Sequence, residues 1–297
     1  MGITDDSRID LHIHTNHSDG NWSYGQVFDE AKKRGIKLLS IADHDVISDY
    51  DELRKCSRET QIAFISGVEF STILDGDTHH VLGYGFDWNN PDIRSLMQQN
   101  LTLEASNNKD RDEIWFRDLK RMGYTLDAEE FGRFGHGAEP VVGKQFRAKI
   151  IDYAVYKNIC VDAEEFLERL LPNLSPIELP DFPHPGQVVN AIKRGGGTAV
   201  LAHPIHAGNS LSAIDTVELF KELQIEGIEC YYSGAASADS DYCHDWCKNN
   251  NLLITGGSGS HGDRIAGREI GVPEIRMRDL FLGGLKERIY YPPNAEG

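Results

Sequence analysis

From residue 8 onward, short runs rich in Leu, Ile and Val alternate with stretches whose apolar residues recur at helical spacing: RIDLHIH, YGQVFDEAKKRG, KLLSIADHD, a helix near 48–60, IAFISGVEFS and HHVLGYGFD. Strand alternating with helix is the pattern of parallel sheets and α/β barrels. The first predicted helix stops at Gly35, directly after Lys32, Lys33 and Arg34, whose charges complement the carbonyl end of a helix. From 91 to 184 the pattern changes, and segments such as PDIRSLMQQNLTLEASNNKDRDEIWF, QFRAKIIDYAVYKN and VDAEEFLERLL carry helical spacing with little β character. After PHPGQVVNAIKRGGG the alternation resumes with TAVLAHP, VELFKELQ, IEGIECYYS, a helix near 237–250 and NLLITGGSGSHG. The pattern predicts an α/β barrel domain built from 1–90 and 185–297, interrupted by a small helical domain, 91–184.

Composition narrows this picture. The chain has 297 residues, 40% hydrophobic and 26% charged, as expected of a folded globular protein. Its formal charge of -17 opposes docking on long nucleic acid, while a small anion drawn to local cations is compatible with it. No apolar run approaches the roughly 20 residues that cross a bilayer, and MGITDDSRID lacks the features of a signal peptide. The expectation is a cytoplasmic protein without membrane contact. Five scattered cysteines, Cys56, Cys160, Cys230, Cys243 and Cys247, suit reduced thiols.

The candidate chemistry begins in DLHIHTNHSDG, which holds three of the twelve histidines. Alternate residues of a strand share a face, so His12 and His14 project into one space. Similar residues recur where predicted strands end: Asp19, then Asp43 and His44, Glu69, His80, His203 and His261. The loops after the strands form the active-site face of α/β architectures, so these segments can converge on one cavity. Imidazole and carboxylate suit zinc, manganese and iron, and Glu69 has two oxygens with which to bridge cations. Each residue also has an ordinary reading. His79, His136, His184 and His244 fit structural or surface positions, Asp45 fits a helix N-cap, and Cys243-His244-xx-Cys247 fits the apolar face of a helix. Recurrence at one position of the repeat, in separate segments, favours a shared metal site.

Taken in order, DLHIHTNHSDG, IADHD, GVEFS, HHVLGYGFD, AVLAHP and GGSGSHG resemble the motifs of the PHP (polymerase and histidinol phosphatase) family of metal-dependent phosphoesterases. The resemblance covers about residues 8–90 and 185–290. The Ser-Asp-Gly ending of the first motif and the helical insertion look like the branch acting on nucleotides and short oligonucleotides. The resemblance implies a distorted (β/α)7 barrel with two to three divalent metals (manganese, zinc or iron) at its mouth. His12, His14 and Glu69 would hold one, Glu69, His80 and His203 a second, and Asp19, His44 and His261 a third, with Asp43 orienting a ligand. It further implies attack of a metal-bridging hydroxide on phosphorus.

Two departures from the family pattern stand out. Where the family shows Gly-Ser-Asp-x-His, this chain reads Gly257-Ser258-Gly259-Ser260-His261, without the carboxylate; Asp263 is a possible substitute by a shifted loop. Where the branch shows Gly-Arg-Pro-His, this chain reads Gly143-Lys144-Gln145-Phe146, followed by Arg147. Lys144, Arg147, Arg264 and His206 are candidate cationic contacts to a second anionic group, His17 is a candidate phosphate contact, and Tyr231 and Tyr232 could flank a ribose or base. The expected substrate is a small phosphorylated metabolite, foremost a nucleoside 3',5'-bisphosphate, with a short oligonucleotide compatible. A sugar cyclic phosphate and a noncatalytic metal-binding relative impaired at Gly259 are the alternatives. Oligomeric state is left open.

Overall fold

Local chemistry sets the first elements. In the computed structural model, which describes residues 2–134, 149–205, 212–265 and 267–293, β1 (Arg8–Ile13) leads to α1 (Tyr24–Lys33) and β2 (Ile36–Ile41). Ser23 and Gln26 form a capping box at the start of α1, and Gly35 turns the chain after it at φ 74°. Asp49 caps α2 (Tyr50–Thr60) by accepting from Asp51 N and Glu52 N. Asp45, expected in that role, instead accepts from Asn100 Nδ2 and Ser71 N, because the chain turns at residue 45 (φ 51°) before the helix begins. Strands β1, β2 and the two-residue β3 (Ala63–Phe64) form a parallel sheet.

The second sheet has the order β4 (Gly67–Leu74), β5 (Asp77–Tyr84), β6 (Thr198–Leu201), β7 (Gly227–Tyr232), β8 (Leu253–Gly257). Strands β4 and β5 run antiparallel because only Asp75 and Gly76 connect them, at φ 52° and 87°, and so short a turn leaves no room for a crossover helix. Strands β6, β7 and β8 are parallel. The sheets join at both sides: Ile13 bridges Ser260 and His44 bridges Glu69, so the eight strands among the described residues curl into a distorted α/β barrel.

Its interior is apolar, with Ile9, Leu11, Leu38, Ile65, Leu82 and Val200 in one buried cluster. Outside pack α1, α2, α7 (Pro185–Arg194), α8 (Ala213–Glu222) and α9 (Ser237–Asn250). The His184 ring caps α7, Nδ1 accepting from Gly186 N at 3.1 Å. Cys243 and Cys247 of α9 lie in the core with Cys230, all as free thiols.

Between β5 and α7 the described residues form no strand. Helix α3 (Pro91–Arg121) is continuous, started by the Asn90 cap with proline in its first turn. Its beginning packs on the barrel through Ile93 and Met97. Its end, through Trp115 and Leu119, shares a separate core with α5 (Lys149–Tyr156), the short α6 (Ala163–Glu165) and the turn Phe166–Leu170; α4 (Ala128–Arg133) adds Phe131 at its margin. One helix therefore ties the insertion to the barrel. No helix among the described residues is long and apolar enough to cross a membrane.

Candidate metal centre

The end of β1 delivers His12 and His14 to the barrel mouth, and buried polar groups hold the surrounding loops. Asp43, at the end of β2, accepts from Thr15 N (2.7 Å), Thr15 Oγ1 (2.7 Å) and Ser18 Oγ (2.6 Å), fixing the loop that carries Asp19. That loop folds so tightly that a Cβ on Gly20 would lie 2.8 Å from the His14 carbonyl oxygen. Asp10, fully buried, accepts from Ser258 N at 2.9 Å and Gly271 N at 2.8 Å. Strand β8 is thereby pressed against β1, where a Cβ on Gly257 would stand 2.4 Å from that of His12.

Glu69 is the hub. Its Oε2 lies 3.1 Å from His12 Nε2, 3.2 Å from His14 Nε2 and 3.3 Å from His44 Nδ1; its Oε1 lies 3.0 Å from His80 Nδ1 and 2.8 Å from His203 Nε2. On the other side of His14, Asp19 Oδ2 is 2.9 Å from His261 Nε2, and the His14 and His261 rings stack at 4.3 Å. Three groups have donor atoms within 4.8 Å of one another: His14, Asp19, His44 and His261; His12, His14 and Glu69; and His44, Glu69 and His80. All eight expected ligands thus converge. The grouping differs in detail from the implied one, because His14 and His44 each belong to two sets, while His203 meets His80 at 3.4 Å and Glu69 directly.

The donor chemistry fits divalent cations. His12 Nδ1 faces Glu229, so the proton sits there and the Nε2 lone pair points at His14 Nε2, 3.1 Å away. Two ring nitrogens and a carboxylate oxygen converging at this distance satisfy one another poorly without a cation, and buried His14 Nδ1 lacks a hydrogen-bond partner. Burial disfavours the charged carboxylates, yet His261, His44 and His14 hold Asp19 well below its ordinary range, and His12, His44 and His80 do the same for Glu69. Burial pushes His44 down to about 3 and His14 in the same direction, which leaves both as neutral electron-pair donors. Burial also opposes charge on His12 and His80, but Glu229 and Glu69 raise the former and Glu69 the latter.

Glu229 was not anticipated. This fully buried β7 carboxylate lies 3.0 Å from His12 Nδ1 through Oε1, and its Oε2 accepts from His203 N at 2.9 Å, so one side chain orients two of the converging residues. The available signal was a lone acid inside the apolar run GIEC. His17 stacks on Tyr24 at 4.3 Å, outside the three donor groups. Arg264 reaches the mouth, donating from Nη1 to Asp19 O at 3.0 Å, with its Nε buried and unpartnered. Tyr232 Oη meets the backbone of Ile205 at 3.2 Å from its nitrogen, and Tyr231 packs at the edge of the core. Asp263 bonds Asn21 and belongs to none of the donor groups. Lys144, Arg147 and His206 lie outside the described residues.

The PHP domain profile matches residues 10–168, over half of the chain. A phosphoribosyl 1,2-cyclic phosphate 1,2-diphosphodiesterase from Eggerthella lenta is 26% identical, over 85% of this chain and 94% of that one. A 3',5'-nucleoside bisphosphate phosphatase from Chromobacterium violaceum is also 26% identical, over 90% and 92% respectively. An amidohydrolase structure from the same organism superposes with a TM-score of 0.74 at 22% identity, covering 97% of this chain and 99% of that one.

Proposed function

The chain belongs to the PHP family and is a metal-dependent phosphate-ester hydrolase, and from that premise we propose that it removes phosphate from a nucleoside 3',5'-bisphosphate with the help of two or three manganese, zinc or iron ions. The observation that carries this reading is the set of three overlapping donor groups around Glu69 and His14. Cations bound there supply charge neutralisation at the phosphoryl oxygens and acidify water. The chain's own residues do the rest. Asp43 and Asp10 keep the donor-bearing loops in place, and Glu229 sets the tautomer of His12. Arg264, whose Nε has no partner, offers a fixed cation to an anionic group entering beside Asp19. Lys144, Arg147 and His206 complete the proposed set of cationic contacts, and the helical segment 91–184 acts in this reading as the selector of substrate size.

Two observations favour other readings. The Eggerthella relative favours a sugar cyclic phosphate, and Gly259, where the family carries a carboxylate, favours a noncatalytic metal-binding protein. With added Mn(II), Zn(II) or Fe(II), hydrolysis is measured as phosphate release from adenosine 3',5'-bisphosphate, and by chromatography of products from a ribose 1,2-cyclic phosphate, whose ring opening gives a phosphomonoester, and from a short oligoribonucleotide, which gives nucleotides. The proposal expects the highest kcat/KM on the bisphosphate. Preference for the cyclic ester selects that alternative, and metal binding without turnover of any substrate selects the noncatalytic one.

A further inference from the structure

Helix α3 runs from the barrel core to the helical core and carries polar side chains tied to segments that flank the barrel mouth. At one end of this set Asn100, fully buried, donates from Nδ2 to Asp45 Oδ1 at 2.6 Å and to Ser71 O at 2.9 Å, beside His44 and Glu69. Twelve residues on, about 18 Å along the axis, Asp112 accepts from Ile150 N at 2.7 Å; two residues further along α5, Asp152 lies 3.5 Å from Arg264, which in turn bonds Asp19 O. The helix is thus anchored on both sides of the donor cluster. Between the anchors, at i, i+4 and i+7, stand Glu104, Asn108 and Arg111, which share one helix face.

These three form a chain of contacts. Arg111 Nη1 donates to Asn108 Oδ1 at 2.7 Å, and Asn108 Nδ2 donates to Glu104 Oε1 at 3.1 Å, while the direct Arg111–Glu104 separation is 3.8 Å. Glu104 Oε2 accepts no hydrogen bond from the described residues. Burial pushes the Glu104 carboxyl up; Arg111 opposes this, Asp19 adds to it, and Asn108 and His80 oppose it. Glu104 stands one helical turn beyond Asn100, whose bonds to Asp45 and Ser71 set that part of α3 beside the segments carrying His44 and Glu69. The Glu104 side chain is 15% exposed, so Oε2 is open to solvent and can accept from a ligand hydroxyl.

We propose that the Glu104–Asn108–Arg111 face of α3 is a leaving-group subsite over the candidate metal centre, in which Glu104 accepts a hydrogen bond from a hydroxyl next to the scissile phosphate. This rests on the phosphoesterase reading. The Asn108–Arg111 pair holds the carboxylate toward the mouth, and the ligand class is a phosphate ester of a polyol, such as a ribose 3'-phosphate with its free 2'-hydroxyl. The acidic group also disfavours a second phosphate at that point.

The test compares adenosine 3',5'-bisphosphate with its 2'-deoxy counterpart on the Mn(II)-loaded full chain, separating kcat from KM. The ratio of the two Kd values on chelator-treated protein reads the same preference without turnover. Wild type is expected to favour the ribo substrate by about 10- to 100-fold. Glu104→Ala brings the ratio close to one, and Glu104→Gln, which keeps an acceptor oxygen, lies between. Equal values for the two substrates in wild type, or an unchanged ratio in Glu104→Ala, overturn the subsite and leave the phosphoesterase reading standing. Absence of hydrolysis of both bisphosphates, of a ribose 1,2-cyclic phosphate (read as ring-opened monoester) and of p-nitrophenyl phosphate overturns that reading, and the subsite with it.

Discussion

At the scale of single residues, the most informative side chains around the donor cluster are those that could not themselves bind a cation in the observed arrangement. Glu229 acts on His12 through Nδ1 and on His203 through the backbone. Glu229→Gln keeps the size and an acceptor but removes the charge that favours the Nδ1–H tautomer, so Zn(II) affinity should fall about 10- to 100-fold; calorimetric titration measures this, and unchanged affinity would show that His12 is oriented by packing alone. Gly259 offers the opposite experiment. Its φ of 58° is a conformation that Asp tolerates better than most residues, at a cost of about 1 kcal/mol, and a Cβ there meets nothing within 4 Å. Gly259→Asp should raise the metal retained after dialysis, and phosphate release with it. Better retention with less activity would mean that the position opposite the glycine serves substrate, whereas unchanged metal content would place residue 259 away from the cations.

At the scale of elements, α3 makes the connection that a division into barrel and insertion leaves out. Its first turns belong to the barrel core and its last to the helical core, with Asp112 joining it to the start of α5. Burial pushes Asp112 up to about 6, against the opposing hydrogen bond from Ile150 and the charges of Lys149 and Arg111. A carboxyl raised on folding contributes stability that is fully present below its unfolded value near 3.8 and is lost as pH rises through about 6. Asp112→Asn retains the acceptor for Ile150 N and should remove this loss. The variant should therefore gain about 1 to 2 kcal/mol on wild type between pH 4 and pH 7, allowing for partial exposure. Urea midpoints at the two pH values provide the check, and parallel shifts in both proteins would show that Asp112 does not titrate in this window.

For the whole molecule, the donor cluster gathers residues at or just after the ends of β1, β2, β6 and β8, whereas Glu69 and His80, expected at strand ends, lie inside β4 and β5; cations held there would couple the two sheets. Metal present at about 100 times its Kd stabilises the folded state by about 2.7 kcal/mol, which for a protein of this size corresponds to roughly 4 °C in Tm. Chelation should lower Tm by that amount, and readdition of Mn(II) should restore it. An unchanged Tm after verified metal removal would mean that the strands hold their positions without cations.

The amino-acid order alone determined a good deal of this. Alternating strand and helix patterns, the Ser23 and Gly35 boundaries of α1, and His, Asp and Glu at strand ends are local signals, governed by periodicity and capping within a few residues. They sufficed to bring His12, His14, Asp19, His44, Glu69, His80, His203 and His261 forward as one set. Only the tertiary structure decided how that set is wired. Glu69 could be seen as a bridging carboxylate, but not that five imidazoles surround it, since those contacts depend on how the two sheets close upon each other. Asp45 reads as a helix cap until Asn100, 55 residues away in sequence, claims its carboxylate. Glu229 carries no motif, and its place beside the cluster follows from the packing of β7. Periodicity says which way a side chain points along its own element; distances between donors on different strands are set by barrel closure, which no local pattern contains.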